Sequence, residues 1–214
     1  MKLVLVRHGR PDEDDAERPH DPPLRADGWA QARAVARHLA AEGITHVVAS
    51  PLHRAQQTAL PLAEALSLPV ITIDGWAEAD RSTSRYRSTE TLRALDPASW
   101  QRFVADPVRY LGSDPDRFRA DVLGALQQTL ALGDTASHVV VFAHGLPINL
   151  VLSHALGLPR ITHFHPGYGS ITRLRVRAAG VVGVVSINES GHHERPPAPP
   201  PPTVRPGAAG GNRP

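Results

Sequence analysis

The stretch Leu3-Val4-Leu5-Val6 is apolar without interruption and then stops at Arg7-His8-Gly9. A strand of this composition has no polar face to offer water, so it belongs inside a sheet covered on both sides. Such a sheet needs helices between its strands, and the sequence supplies them. Residues 27–42 are rich in Ala and Arg, with Val35 and Leu39 four apart and Gly43 placed as the C-cap. A second strand is predicted over 44–49, a second helix over 52–66 and a third strand over 70–73. This β-α-β-α-β order argues for parallel strands with right-handed crossovers. Phe118, Val122, Leu126 and Leu130 mark a helix over 116–132. Residues 138–143, with Val-Val-Val-Phe at their heart, form a fourth strand, and 146–156 a helix closed by Gly157. Two last strands, 170–176 and 181–187, pair antiparallel through a turn at Ala178-Ala179-Gly180. The predicted architecture is a three-layer α/β/α fold with a mostly parallel sheet and an antiparallel edge strand.

The remaining segments are irregular. Residues 10–23 alternate proline with acid and read as a surface loop, positioned to cover whatever follows the first strand. Residues 74–115 are weakly patterned, with helical pieces at 89–95 and 98–105. From Arg195 the composition changes: eight of the 21 prolines lie in the last twenty residues, followed by a glycine-rich end. The expected organisation is one domain over 1–190 and a Pro/Gly-rich, disordered tail over 191–214. The tail offers a P-x-x-P pattern to a weak SH3- or WW-like partner, although an unused terminus is the plainer reading. At 214 residues the chain suffices for one sizeable core.

Composition excludes several kinds of chemistry. With no cysteine there is no disulfide, no thiolate catalysis and no cysteine-ligated metal. Lys+Arg 23 against Asp+Glu 21 leaves a net charge of +2, and Lys2 is the only lysine. The pI of about 9.5 therefore reflects arginine. No dense basic run suggests nucleic acid. The N-terminal apolar run is too short for a signal peptide, and no run is long enough to span a membrane. The expectation is a cytoplasmic protein with neither nucleic acid nor membrane as partner.

Three predicted parallel strands end in reactive groups: Arg7-His8-Gly9, then Ser50-Pro51-Leu52-His53-Arg54, then His144-Gly145. Ligands of open α/β sheets bind outside the carboxyl ends of the strands. Two arginines and two histidines gathered there are the composition of a phosphate pocket, because guanidinium forks match phosphoryl oxygens and a histidine can act as nucleophile or base. His163-x-His165 and His192-His193 raise the question of a metal, but they lack acidic or cysteine partners at ligand spacing.

The sequence resembles the histidine phosphatase superfamily, the phosphoglycerate-mutase-like proteins, over residues 2–187. Leu5-Val6-Arg7-His8-Gly9 is the hallmark. Further matches follow in order at Pro23-Leu24 to Gly28 with Gln31-Ala32, at Ser50-Pro51-Leu52-x-Arg54-Ala55-x-Gln57-Thr58, at Asp74-Gly75-Trp76-Ala77-Glu78, and at His144-Gly145-x-Pro147-Ile148. The resemblance implies a phosphomonoesterase acting through a phosphohistidine on His8. Arg7, Arg54 and His144 would clamp the phosphoryl oxygens, with Gly145 beside them. Glu78 would protonate the leaving oxygen and then help water attack; Asp80 and Asp74 are the alternatives for that acid. Glu78 needs a raised pKa for this role, and neither a cofactor nor a metal is required.

Arg10 and His20 are candidate substrate contacts by position alone, as are Arg81 and Arg85 at the rim and the stretch 163–170 as a rim loop. Two departures from the family pattern matter. Arg10-Pro11-Asp12 stands where many relatives carry a small polar phosphate contact. The Asn- and Trp-rich segment of the mutase branch is missing. Phosphatase is therefore favoured over phosphoglycerate mutase-type transfer, with a low-activity phosphate-binding module as the non-enzymatic alternative. The partner expected is a small phosphorylated substrate.

Overall fold

The structure, a computed structural model, describes residues 1–177 and 180–193, the side chains of 180–182 apart. Strands β1 (Lys2–Arg7), β2 (His46–Ala49), β3 (Val70–Thr72), β4 (His138–Ala143), β5 (Ile171–Arg177) and β6 (Gly180–Glu189) form one sheet in the order β3-β2-β4-β1-β5-β6. β1, β2, β3 and β4 are mutually parallel; β5 runs antiparallel to β1, and β6 to β5. The predicted fold class stands, with the antiparallel edge made of two strands. Of the turn predicted at 178–180, residues 178 and 179 fall outside the described residues, as does nearly all of the tail, and Gly180 opens β6.

Alternation along β1 explains the three layers. Leu3 and Leu5 point into one apolar cluster, with Val139 and Val141 of β4 and Val122, Leu126, Ile148 and Leu152 of the covering helices. Val4 and Val6 point into the opposite cluster, with Val140 and Phe142 of β4 and Val35, Leu39, Ala59 and Leu62. Helices α1 (Ala26–Leu39) and α2 (His53–Leu66) therefore cover one face. Helices α6 (Pro115–Leu130) and α7 (Gly145–Leu156) cover the other. No helix among the described residues is long and apolar enough to cross a membrane.

Between β3 and α6 the chain makes a 3-10 turn, Asp74–Trp76, and three short helices: α3 (Thr89–Leu95), α4 (Pro97–Ala105) and α5 (Pro107–Tyr110). Helices α4, α5 and α6 start alike. Asp96, Asp106 and Asp114 accept the backbone N–H of Ser99, Arg109 and Arg117, and a proline fills the first helical position each time.

Several boundaries shift by one to three residues from expectation, and the end of α1 has a clear cause. α1 ends at Leu39 with Ala40 as its C-cap, and Gly43, at φ +69, sits in the turn that follows. Leu39 closes the apolar stripe. Glu42 is then drawn away by Arg173, whose Nη1 and Nη2 donate to its two oxygens at 2.6 and 2.7 Å.

The loop 10–23 does not line the cavity described below. It braces its walls: Glu13 accepts from Ser88 N–H and Thr91 Oγ1, and Asp21 accepts the His53 N–H at the start of α2. Gly9 and Gly28 explain the close fit of this loop against α1. A Cβ on Gly9 would come 2.5 Å from Gly28 O, and one on Gly28 would come 2.1 Å from Arg10 O.

Candidate active site

The carboxyl ends of β1, β2 and β4 open into a cavity of about 720 Å³, whose lining includes Arg7, His8, Arg54, Glu78 and Gly145. His144 lies directly behind, its ring centroid 5.0 Å from that of His8. These six sequence-predicted residues are thus brought together.

His8 follows the last residue of β1. Its Nδ1 lies 2.7 Å from Gly9 O. A carbonyl only accepts, so Nδ1 carries the hydrogen and Nε2 presents its lone pair. Burial, with the charges of Arg54 and Arg7 adding to it, holds the imidazole pKa well below its ordinary value. His8 is therefore a neutral base with one free nitrogen. His144, the N-cap of α7, meets Ser50 Oγ with its Nε2 at 2.7 Å. Ser50 Oγ also accepts from Leu52 N–H at 3.3 Å. His144 Nδ1 is a buried atom without a partner.

Each of the two arginines is held by a carboxylate. Arg7 Nη1 and Nη2 donate to Glu90 Oε1 and Oε2 at 2.8 and 3.3 Å, and Nη1 also to Pro166 O at 2.7 Å. Arg54, fully buried on the first turn of α2, gives Nη2 to both Asp80 oxygens at 2.9 and 3.1 Å. Each guanidinium is faced by a tyrosine ring, Tyr168 at 4.0 Å from Arg7 and Tyr86 at 4.5 Å from Arg54. In both arginines Nε is buried and unpartnered. Burial opposes their charge, but the facing carboxylates outweigh it and raise both pKa values.

Glu78 lies beyond the 3-10 turn. Its Oε2 accepts Leu146 N–H at 3.1 Å in the first turn of α7, and its Oε1 accepts Ala79 N–H at 3.0 Å. These bonds favour the carboxylate, yet burial and the neighbouring charge of Asp80 win and push the pKa up to about 7. Of the alternative acids, Asp80 is committed to Arg54, and Asp74 is exposed at the 3-10 turn, away from the cavity.

Several candidates are not brought in. Arg10 does not line the cavity; its Nη1 pairs with Asp27 at 3.3 Å on the surface. It turns outward because its backbone is held by Gln31 Oε1 and Arg25 N–H. His20 and Arg81 are likewise exposed and outside the lining, whereas Arg85 lines it. From the stretch 163–170, Phe164, His165, Pro166 and Gly167 line the cavity. His192 and His193 lie elsewhere, bonded to Gly169 O and Tyr168 O. Among the described residues no group of three or more His, Cys, Asp or Glu is arranged to hold a metal.

Sequence reasoning missed Glu90, Tyr86 and Tyr168. They sit in segments without periodicity, and only tertiary folding carries them to the arginines. It also missed the apolar side chains of α3–α5 that form the far wall.

Comparisons with known proteins agree with this fold. The probable phosphoglycerate mutase GpmB of Proteus mirabilis (strain HI4320) is 33% identical over 166 residues, covering 74% of this chain and 76% of that protein. A mycobacterial glucosyl-3-phosphoglycerate phosphatase superposes with a TM-score of 0.72 at 22% identity, over 88% of this chain and 99% of that one. Bacillus stearothermophilus YhfR gives 0.71 at 21%, over 90% and 99%. The model of the histidine phosphatase superfamily (branch 1) matches residues 3–189, and the chain belongs to that family.

Proposed function

We propose that residues 1–190 form a phosphomonoesterase that works through a phosphohistidine at His8. One observation carries this reading: three buried nitrogens without intramolecular partners, Arg7 Nε, Arg54 Nε and His144 Nδ1, belong to the residues gathered near His8, whose Nε2 is a free lone pair. That is a receptor for a phosphoryl group with a nucleophile at its centre.

In the first step His8 Nε2 attacks phosphorus. The P–O bond to the alcohol breaks, and Glu78 gives its proton to the departing oxygen. In the second step water attacks phosphorus, its proton goes to the Glu78 carboxylate, the P–N bond breaks, and inorganic phosphate leaves. A pKa near 7 lets one carboxyl serve both steps. Arg7, Arg54 and His144 stabilise the charge on the equatorial oxygens. The reading needs neither cofactor nor metal.

Similarity to a probable phosphoglycerate mutase favours one second reading, in which the phosphoryl group passes from His8 to another hydroxyl of the substrate. Phosphate release from an aryl phosphate by the wild type and by His8→Ala tests the proposal; equal rates would overturn it. Interconversion of 2- and 3-phosphoglycerate, dependent on a bisphosphoglycerate primer and faster than phosphate release, would favour the mutase.

A further inference from the structure

The two ends of the cavity differ in chemistry. Arg7, His8, Arg54 and Glu78 make one end. The other carries an apolar wall, Leu92, Trp100, Phe103, Val104, Tyr110 and Leu111, from the helices α3–α5 and their junctions, edged by Arg85, Arg87 and Arg93, with Arg93 over the Trp100 ring at 5.8 Å. The wall is ordered by its aromatics. The rings of Trp100 and Phe103 stack at 5.5 Å, and Tyr110 meets Phe103 edge-on at 5.8 Å.

Leu92 and Phe103 belong to the apolar core, and Trp100, Tyr110 and Leu111 pack against it, yet the wall is not fully covered. Val104 is 38% exposed, and Trp100, Tyr110 and Leu111 are only partly buried. Phosphoryl transfer does not account for the wall, since its machinery is complete at the opposite end. A cavity of about 720 Å³ is of the size that encloses a ligand of many atoms. A long alkyl or aromatic alcohol whose phosphate is held at His8 would exchange water for that surface.

We propose that the substrates are phosphomonoesters whose leaving alcohol carries an extended apolar body, seated on the wall formed by α3–α5. This rests on the phosphatase reading above and adds the class of leaving group. The phosphate end fixes the reacting bond, and the apolar body supplies selectivity.

Alkylphosphonates test the wall without turnover, because their C–P bond is not hydrolysed. Binding of ethyl-, butyl- and hexylphosphonate to the full chain is measured by calorimetry. Each methylene fully buried tightens binding about fourfold, so hexylphosphonate is expected to bind at least tenfold more tightly than ethylphosphonate. In Phe103→Ala this hexyl-to-ethyl ratio falls at least fivefold. Should that variant not fold, Val104→Glu, at a partly exposed position, gives the same readout. Equal affinities along the series, or a ratio unmoved in a folded variant, overturn the proposal. The catalytic reading fails separately: it falls if His8→Ala releases phosphate from phenyl phosphate as fast as the wild type, whatever the phosphonate ratio.

Discussion

Glu90 holds Arg7 end-on: Nη1 and Nη2 reach its two carboxylate oxygens at 2.8 and 3.3 Å, while Nε stays buried and unpartnered. The pairing decides which edge of the guanidinium remains for a phosphoryl oxygen. Arg54 is held differently, by one nitrogen: Nη2 reaches both Asp80 oxygens at 2.9 and 3.1 Å, and its Nε too is buried and unpartnered. Two cations are thereby held near His8, each with its Nε left unpartnered. The carboxylate half-neutralises each cation, and the tyrosine face keeps it from swinging.

Lysine does not replace such an arginine. In Arg7→Lys a single ammonium must choose between Glu90 and the phosphoryl group, and the planar fork is lost. We expect kcat/KM for an aryl phosphate to fall about 100-fold, comparable with loss of one charge-stabilising donor. A loss below about fivefold would show that positive charge alone suffices at this position.

Asp80→Ala strands the Arg54 guanidinium. Arg54 is fully buried, and its remaining carboxylate contact is Asp21 at 3.5 Å. Breaking a buried pair from one side costs about 3–5 kcal/mol, which in a chain of this size lowers Tm by about 10 °C. Arg54→Met combined with Asp80→Ala should recover much of that loss, since no uncompensated charge remains. Unchanged melting of Asp80→Ala would mean that water reaches Arg54.

Ser50 Oγ is the partner of His144 Nε2 at 2.7 Å, while Nδ1 is buried and unpartnered. We expect the hydroxyl to donate there and so to hold the His144 hydrogen on Nδ1. Ser50→Ala removes that instruction while leaving both strands intact. We expect kcat to fall about tenfold, or about 1.4 kcal/mol, and the ¹⁵N spectrum of His144 to change from one tautomer to a mixture. A single Nδ1–H tautomer in the variant would show that another group orients the ring.

The parts of this site legible in the sequence are those that local chemistry places. Arg7-His8 ends an uninterrupted apolar strand, Arg54 opens a helix just after another strand, and His144 closes a third. Strand ends gather at one sheet edge, so all three could be assembled before any contact was known. Glu90, Tyr86 and Tyr168 were not legible, because nothing in the polar stretch 81–91 or the turn before β5 says which side chain folds inward. The three Asp-Pro pairs that open α4, α5 and α6 were a readable signal for helix starts, and α5 was missed without it. Arg10 misled by proximity in sequence: Gly9 packs on Gly28, and the chain turns its next side chain away from the cavity.

Glu78 makes both activity and stability depend on pH, and both favour its protonated form. Burial, reinforced by the charge of Asp80, raises its pKa from 4.5 to about 7. The acid form is required when the leaving oxygen departs, and His8 is already neutral because its own pKa is depressed. For an alkyl phosphate, kcat/KM should therefore hold steady below neutrality and decline above about pH 7, while an activated aryl ester, whose leaving group needs no proton, should show little decline. Stability follows the same titration. A carboxyl whose pKa is raised on folding contributes stability that is complete below its unfolded value of 4.5 and lost as pH rises to about 7. Over that window the loss is up to about 3 kcal/mol. Glu78→Gln cannot ionise, so its Tm relative to the wild type should climb by several degrees between pH 4.5 and 7 and then level off, even as the variant loses turnover of alkyl phosphates. A Tm difference that stays flat across that range would place the carboxyl in contact with water and remove it from the role of acid.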